Sequence, residues 1–176
     1  MLRICILFFV LTFFPPKDYE RLDWKENQKI TWEDFKGKPD KLSSYAASVN
    51  SGISHNYALN SRGFLIKEES VVKAFFYPTL SWYKPDMVDR RILQHERLHF
   101  DISELHARKL RKRIAEYKFT ENSQREIKKL YNQVEQEREE MQKAFDKESE
   151  HSQYRQAELF WESKISELLY EYDDWK

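Results

Sequence analysis

From Asp86 to Lys176 the chain contains neither Gly nor Pro. These are the two residues least compatible with a helix interior, so this half is expected to be helical throughout. A first helix is predicted over about residues 86–117. A second begins near Ser123, where Ser123 and Glu126 have capping-box spacing. Its apolar residues Ile127, Leu130, Val134, Met141 and Phe145 recur at spacings that place them on one face. The polar run 146–152 interrupts it, and a third helix is predicted over about residues 153–172. The basic run 109–113 and the acidic run 135–140 read as solvated faces. Their opposite signs could pair across a helical hairpin.

The preceding segment, residues 29–84, has a different texture. Ile30-Thr31-Trp32, residues 44–59, Phe64-Leu65-Ile66 and residues 71–77 carry β-branched and aromatic side chains in short runs. Asn60-Ser61-Arg62-Gly63 is a predicted turn, and Gly37-Lys38-Pro39-Asp40 a loop. Short connections imply antiparallel pairing. The expected fold class is α+β: a small antiparallel sheet followed by three helices, within one domain over residues 17–176. Its β-rich part is 17–84 and its helical part 85–176.

Composition narrows the function classes. Thirty basic residues balance 30 acidic ones, so no global positive field exists to bind nucleic acid. Twelve Phe, 10 Tyr and 5 Trp supply a core and argue against disorder. At the amino terminus Arg3 precedes an apolar run, Ile4 to Phe14, and Pro15-Pro16 follow it. That run is too short to span a bilayer and matches a secretory signal over residues 1–16, or a retained anchor. The expected location is secreted or periplasmic. Cys5 is the single cysteine and belongs to this segment, so any metal site must be built from histidine and carboxylate.

One motif carries chemistry. His95-Glu96-Arg97-Leu98-His99 has the H-E-x-x-H pattern within the first predicted helix. Residues four apart on a helix differ by about 40° in direction and about 6 Å in height, so both imidazoles can reach one ion. Zinc suits imidazole and leaves a position open for water or substrate. Glu96 points too far aside to be a ligand and is placed to act as general base on an acidified water, passing the proton on to a leaving amine. The active-site helix is therefore expected to be zincin-like, with peptide or protein as substrate.

A further metal ligand has to come from elsewhere. His106 lies on the same stripe but about 10 Å beyond His99. Ile102 stands where the zinc proteases with a third His soon after the motif use Gly to turn the chain, which excludes that class. Asp101 and Glu104 lie on the far side of the helix with Arg97 and Arg108, as two i,i+4 pairs, and could at most support the ligands from outside. A helical hairpin would return residues 135–140, or Glu148, Glu150 and His151, toward the motif. Tyr77, Tyr83 and Tyr154 could donate to an oxyanion, though packing is the plainer role for each, as it is for Trp24, Trp32, Trp82 and the strand residue His55. Residues 71–77 could serve as an edge strand that holds extended substrate.

Leu93-Gln94-His95-Glu96-x-Leu98-His99-Phe100-Asp101-Ile102-x-Glu104-Leu105-x-Ala107-Arg108 resembles a bacterial domain-of-unknown-function family described as predicted secreted zinc-dependent proteases. Ile30-Thr31-Trp32-Glu33-Asp34-Phe35-x-Gly37-x-Pro39, Ser81-Trp82 and Phe145-Asp146-x-Glu148-Ser149-x-His151 are similar too. The family's last segment usually reads Tyr-Asp-x-Glu-Thr-x-His-Gly, and this chain departs from it at Phe145, Ser149 and Ser152. The resemblance implies His151 as the third zinc ligand beside His95 and His99, with Asp146 or Glu148 orienting it. Two functions follow as expectations. One is a zinc metallopeptidase with Glu96 as base. The other is a non-enzymatic envelope protein with a structural or vestigial metal site and a helical-hairpin interaction surface.

Overall fold

The computed structural model describes residues 19–176. The segment read as a signal, with Cys5 inside it, lies outside the described residues. Among those described, no helix is long and apolar enough to cross a membrane. The strands are β1 (Leu22–Asp23), β2 (Ala47–Ser48), β3 (Ser51–Leu59), β4 (Leu65–Phe76) and β5 (Trp82–Tyr83). The helices are α1 (Arg90–Glu116), α2 (Ser123–Glu148) and α3 (Arg155–Glu171). The architecture is α+β, as expected: a small antiparallel sheet followed by three helices.

β4 pairs antiparallel with β3 along most of its length and with β1 at its end, giving the order β1-β4-β3. A second, two-stranded sheet joins β2 to β5. The β3–β4 hairpin turns at Asn60–Gly63, where Gly63 donates to Asn60 and has φ +84°. A Cβ at Gly63 would also stand 2.5 Å from the Glu121 carbonyl oxygen, so this position requires glycine twice over.

α1 is the axis of the molecule, buried on both faces. One face sends Leu93, Phe100, Ala107, Leu110 and Ile114 against Ile53, Val72, Ala74 and Phe76 of the sheet. The other sends Leu98, Ile102 and Leu105 against Phe145 of α2 and Trp161 and Ile165 of α3. Each large apolar side chain so enclosed contributes about 1.5–3 kcal/mol. The polar stripe of α1 is also buried and works as a fastener. Asp101 accepts from Trp24 Nε1 at 2.7 Å and pairs with Lys29 at 2.9 Å. Arg97 donates to the Ile30 carbonyl, and Glu104 pairs with Arg108 and Arg111 at 3.0 Å. The Glu104–Arg108 pair forms as its spacing implies. Arg97 and Asp101 turn instead to the amino-terminal segment.

Several local expectations change. Residues 30–32 form no strand, because Asp34 accepts from both the backbone and the hydroxyl of Thr31 and bends the chain into a 3-10 turn over Trp32–Asp34. The two runs 64–66 and 71–77 belong to one strand, with a bulge opposite at Asn56/Ala58 absorbing the misfit. α1 starts at Arg90 rather than near residue 86, since the Asp89 carboxylate accepts from the Arg91 and Ile92 amides. Glu126 caps Thr120 rather than Ser123, and the Ser123 hydroxyl accepts from the Leu65 amide while donating to the Thr120 carbonyl. The opposed charge runs do meet: Arg113 makes a two-pronged contact with Glu137, both bonds 2.8 Å.

Residues 71–77 are not a free edge. β1 covers Phe75 and Phe76, the Trp24 amide donates to the Ala74 carbonyl, and the Arg111 guanidinium covers the Val72 carbonyl.

Candidate metal centre

His95 and His99 lie one turn apart on α1, with ring centroids 4.9 Å apart. Their Nε2 atoms converge at 3.2 Å, and Asp146 Oδ1, from the last turn of α2, completes the group. It lies 3.2 Å from His95 Nε2 and 2.9 Å from His99 Nε2. Among the described residues, His95, His99 and Asp146 form a group able to hold a metal ion. Three ligands of a tetrahedral ion at about 2.0–2.1 Å stand about 3.3 Å from one another, close to the spacing seen. The donor set fits too, because two lone-pair nitrogens and a carboxylate oxygen converge where only one proton could be shared between any two of them.

The surroundings fix each ring. The Phe145 ring stacks on His95 at 4.4 Å and meets His99 edge-on at 5.1 Å. His99 Nδ1 contacts Gln142 Oε1. His95 Nδ1 faces Glu158 Oε1 of α3 at 3.6 Å.

Electrostatics separate the groups. Burial pushes Asp146 upward, but its bonds to His95 and His99 and their charges outweigh this and hold it well below the usual carboxylate range. Burial lowers His95, with partial compensation from Asp146. For His99 the same burial is outweighed by Asp146, Glu96 and Gln142, so its pKa rises. Glu96 is buried, and desolvation pushes its carboxyl up to about 7, against the pull of His99 and of the Val49 amide. That amide donates to Glu96 Oε2 at 2.9 Å, tying the β2–β3 link to the helix.

These groups line one open pocket with Tyr45, residues 46–49, Ile92, Gln142 and His151. His151 stands beside the group of His95, His99 and Asp146 rather than within it. Its side chain is 46% exposed, its Nδ1 lies 3.7 Å from Asp146 Oδ1, and its ring leans on Tyr45 at 4.7 Å. Residues 150–152 all adopt positive φ, between 49° and 68°. Three consecutive non-glycine residues in this region are unusual and strained. Ser152, at φ +68°, occupies the place where the resembled pattern carries Gly, which adopts that conformation without cost.

The other sequence candidates sit elsewhere. Asp101 and Glu104 are on the opposite face of α1, in the fasteners described above. Glu148 accepts from Trp161 Nε1 at 2.8 Å. Tyr77 packs on Tyr19 and Phe75, Tyr83 stacks on Trp32, and the Tyr154 hydroxyl donates to Gln156. His55 bonds Ser70. Three residues at the site were missed by sequence reasoning: Gln142, Tyr45 and Glu158. Only Glu158 carried a signal, as a carboxylate on the stripe of Trp161, Ile165 and Leu168.

His106 is fully buried about two turns beyond His99 on α1. Its Nδ1–H donates to the Ile102 carbonyl at 2.8 Å, while Nε2 has no partner. Burial holds it neutral and lowers its pKa to about 4, helped by Lys109 and Arg138 and opposed by the Ile102 bond and Glu137. An unfolded chain takes up this proton near pH 6.5, whereas the folded chain resists until about pH 4. The contribution is thus intact above pH 6.5 and is lost as pH falls through that window, by at most about 3 kcal/mol. His106→Leu should flatten the difference in urea-unfolding free energy between pH 7 and pH 4.5. An unchanged difference in the variant would show that other groups set the acid sensitivity.

Residues 79–152 match the model of a family described as bacterial protein of unknown function (DUF922). This is the family that the sequence motifs resemble. The matched segment contains His95, Glu96, His99, Asp146 and His151, but not Glu158. No curated protein and no solved structure matches the chain.

Proposed function

From that match and the geometry beside it, we propose that the chain is a zinc-dependent hydrolase of peptide or related amide bonds. His95, His99 and Asp146 would hold the metal, and Glu96 would be the general base. The observation that carries the reading is the convergence of the two Nε2 atoms and Asp146 Oδ1 within 3.2 Å beside a buried glutamate. Bound zinc supplies a Lewis acid, which acidifies water and polarises a carbonyl.

The chain's own residues do the rest. A carboxyl poised near neutrality can both accept and return a proton at the pH where proteins work. The Val49 amide occupies Oε2 of Glu96 and leaves the other oxygen to receive that proton. Gln142 and Phe145 hold the His99 ring, so that Nε2 rather than Nδ1 meets the pocket. Residues 46–49 line the same pocket, and strand β2 within them is an extended segment against which a substrate main chain could lie. The amino-terminal pattern of Arg3 and the apolar run after it supports an extracytoplasmic location, secreted or periplasmic.

The test is metal content with turnover. The purified full chain, incubated with zinc and desalted, should retain about one zinc, and His95→Ala little. It should also cleave members of a mixed peptide library. Absence of zinc from the wild type would end the metallohydrolase reading. Stoichiometric zinc without cleavage of any amide substrate would favour a non-enzymatic metal protein.

A further inference from the structure

Among the described residues only four buried side-chain polar atoms lack a hydrogen-bond partner, and two of them face each other: His95 Nδ1 and Glu158 Oε1, 3.6 Å apart. Glu158 is 2% exposed and comes from α3, beyond the segment the family model matches. Its other oxygen faces the Arg155 guanidinium at 3.4 Å. The stacked Phe145 ring fixes the plane of the His95 imidazole. For Nε2 of His95 to offer a lone pair beside Asp146, the ring must carry its proton on Nδ1. That proton then sits 3.6 Å, nitrogen to oxygen, from the unpartnered Glu158 Oε1.

We propose that Glu158 is a positioning residue for the metal site: it accepts the Nδ1 proton of His95, fixes the tautomer and raises the basicity of Nε2. The inference rests on the metal-site reading above. The two histidines are oriented differently, His99 by the neutral Gln142 amide and His95 by a carboxylate. α3 therefore takes part in the site without contributing a ligand.

Carboxylates in this position typically hold about 10–100-fold in metal affinity. Zinc competition against a chromophoric chelator should place Glu158→Leu in that range below wild type. Glu158→Gln, which keeps an acceptor oxygen but not the charge, should fall between the two. A second measurement needs no metal. Long-range proton–nitrogen spectra of the metal-free full chain carrying Asp146→Ala, which removes the carboxylate that competes for a proton at Nε2, should show His95 as the Nδ1–H tautomer with Glu158 unchanged and with Glu158→Gln, and as a mixture with Glu158→Leu. A merely structural role for Glu158 would lower thermal stability without changing the tautomer.

Outcomes separate the two readings. If wild type binds zinc and His95→Ala does not, while both Glu158 variants bind as tightly as wild type, the positioning role is overturned and the metal reading stands. If wild type binds no zinc, the metal reading falls. The tautomer comparison then still decides whether Glu158 orients His95, and an unchanged tautomer in Glu158→Leu overturns it.

Discussion

Changing Glu96 to Gln should abolish hydrolysis while leaving the metal in place. The amide has nearly the size of the carboxyl, and its oxygen can still accept from the Val49 amide, the contact that Glu96 makes at 2.9 Å. It cannot take a proton. Loss of a positioned general base costs about 10²–10⁴ in rate. The expected profile is therefore a fall of that size in kcat, one zinc per chain as in the wild type, and a melting temperature equal or higher. The gain would come from removing a carboxyl that burial strains up to about 7. Steady-state rates on a peptide that the wild type cleaves, together with elemental analysis, measure both. A variant that keeps more than a tenth of the wild-type rate would assign the proton transfer to another group.

The second large effect concerns the third ligand. Asp146→Ala should lose metal affinity by more than the roughly 10–100-fold that removal of an outer partner costs. His151→Ala should stay within about tenfold of the wild type. Asp146 Oδ1 lies within 3.2 Å of both imidazole nitrogens, whereas His151 is nearly half exposed and is held by Tyr45 and the strained turn. Isothermal titration of the metal-free variants with zinc gives both constants. A larger loss for His151→Ala than for Asp146→Ala would reverse the assignment and restore the ligand that family resemblance suggested.

Much of this was legible beforehand, and the reasons are local. A stretch without Gly or Pro has few ways to be anything but helix, so α1, α2 and α3 could be placed within a few residues. The i,i+4 histidines needed only helix geometry to be paired. The losses came where tertiary partners decide. Residues 30–32 alternate like a strand, but Asp34 caps Thr31 and turns the chain. The polar run Lys67-Glu68-Glu69-Ser70 looks like a break, yet it continues β4, because a strand with one solvated side tolerates polar residues there. The helical wheel gives the Glu104–Arg108 pair, but no wheel reveals that Lys29 and Trp24 close over Asp101 and that Arg111 joins Glu104. The resemblance casts Asp146 as a support for His151, whereas its Oδ1 converges with His95 and His99. Its place depends on how far α2 runs before residues 150–152 reverse the chain, a distance written in backbone angles rather than residue types. Glu158 sat in plain view on an apolar stripe.

The axial position of α1 sets the order in which competence can arise during synthesis. When His95 and His99 have left the ribosome, they would offer at most two ligand atoms, on a helix whose two faces are still bare. Asp146 follows some fifty residues later, and Glu158 later still. The helix that carries the motif is covered on its second face only when α2 and α3 dock, through Phe145 and Trp161. A chain caught partway through synthesis thus lacks the assembled group of His95, His99 and Asp146, and any chemistry that depends on this group would require completed folding.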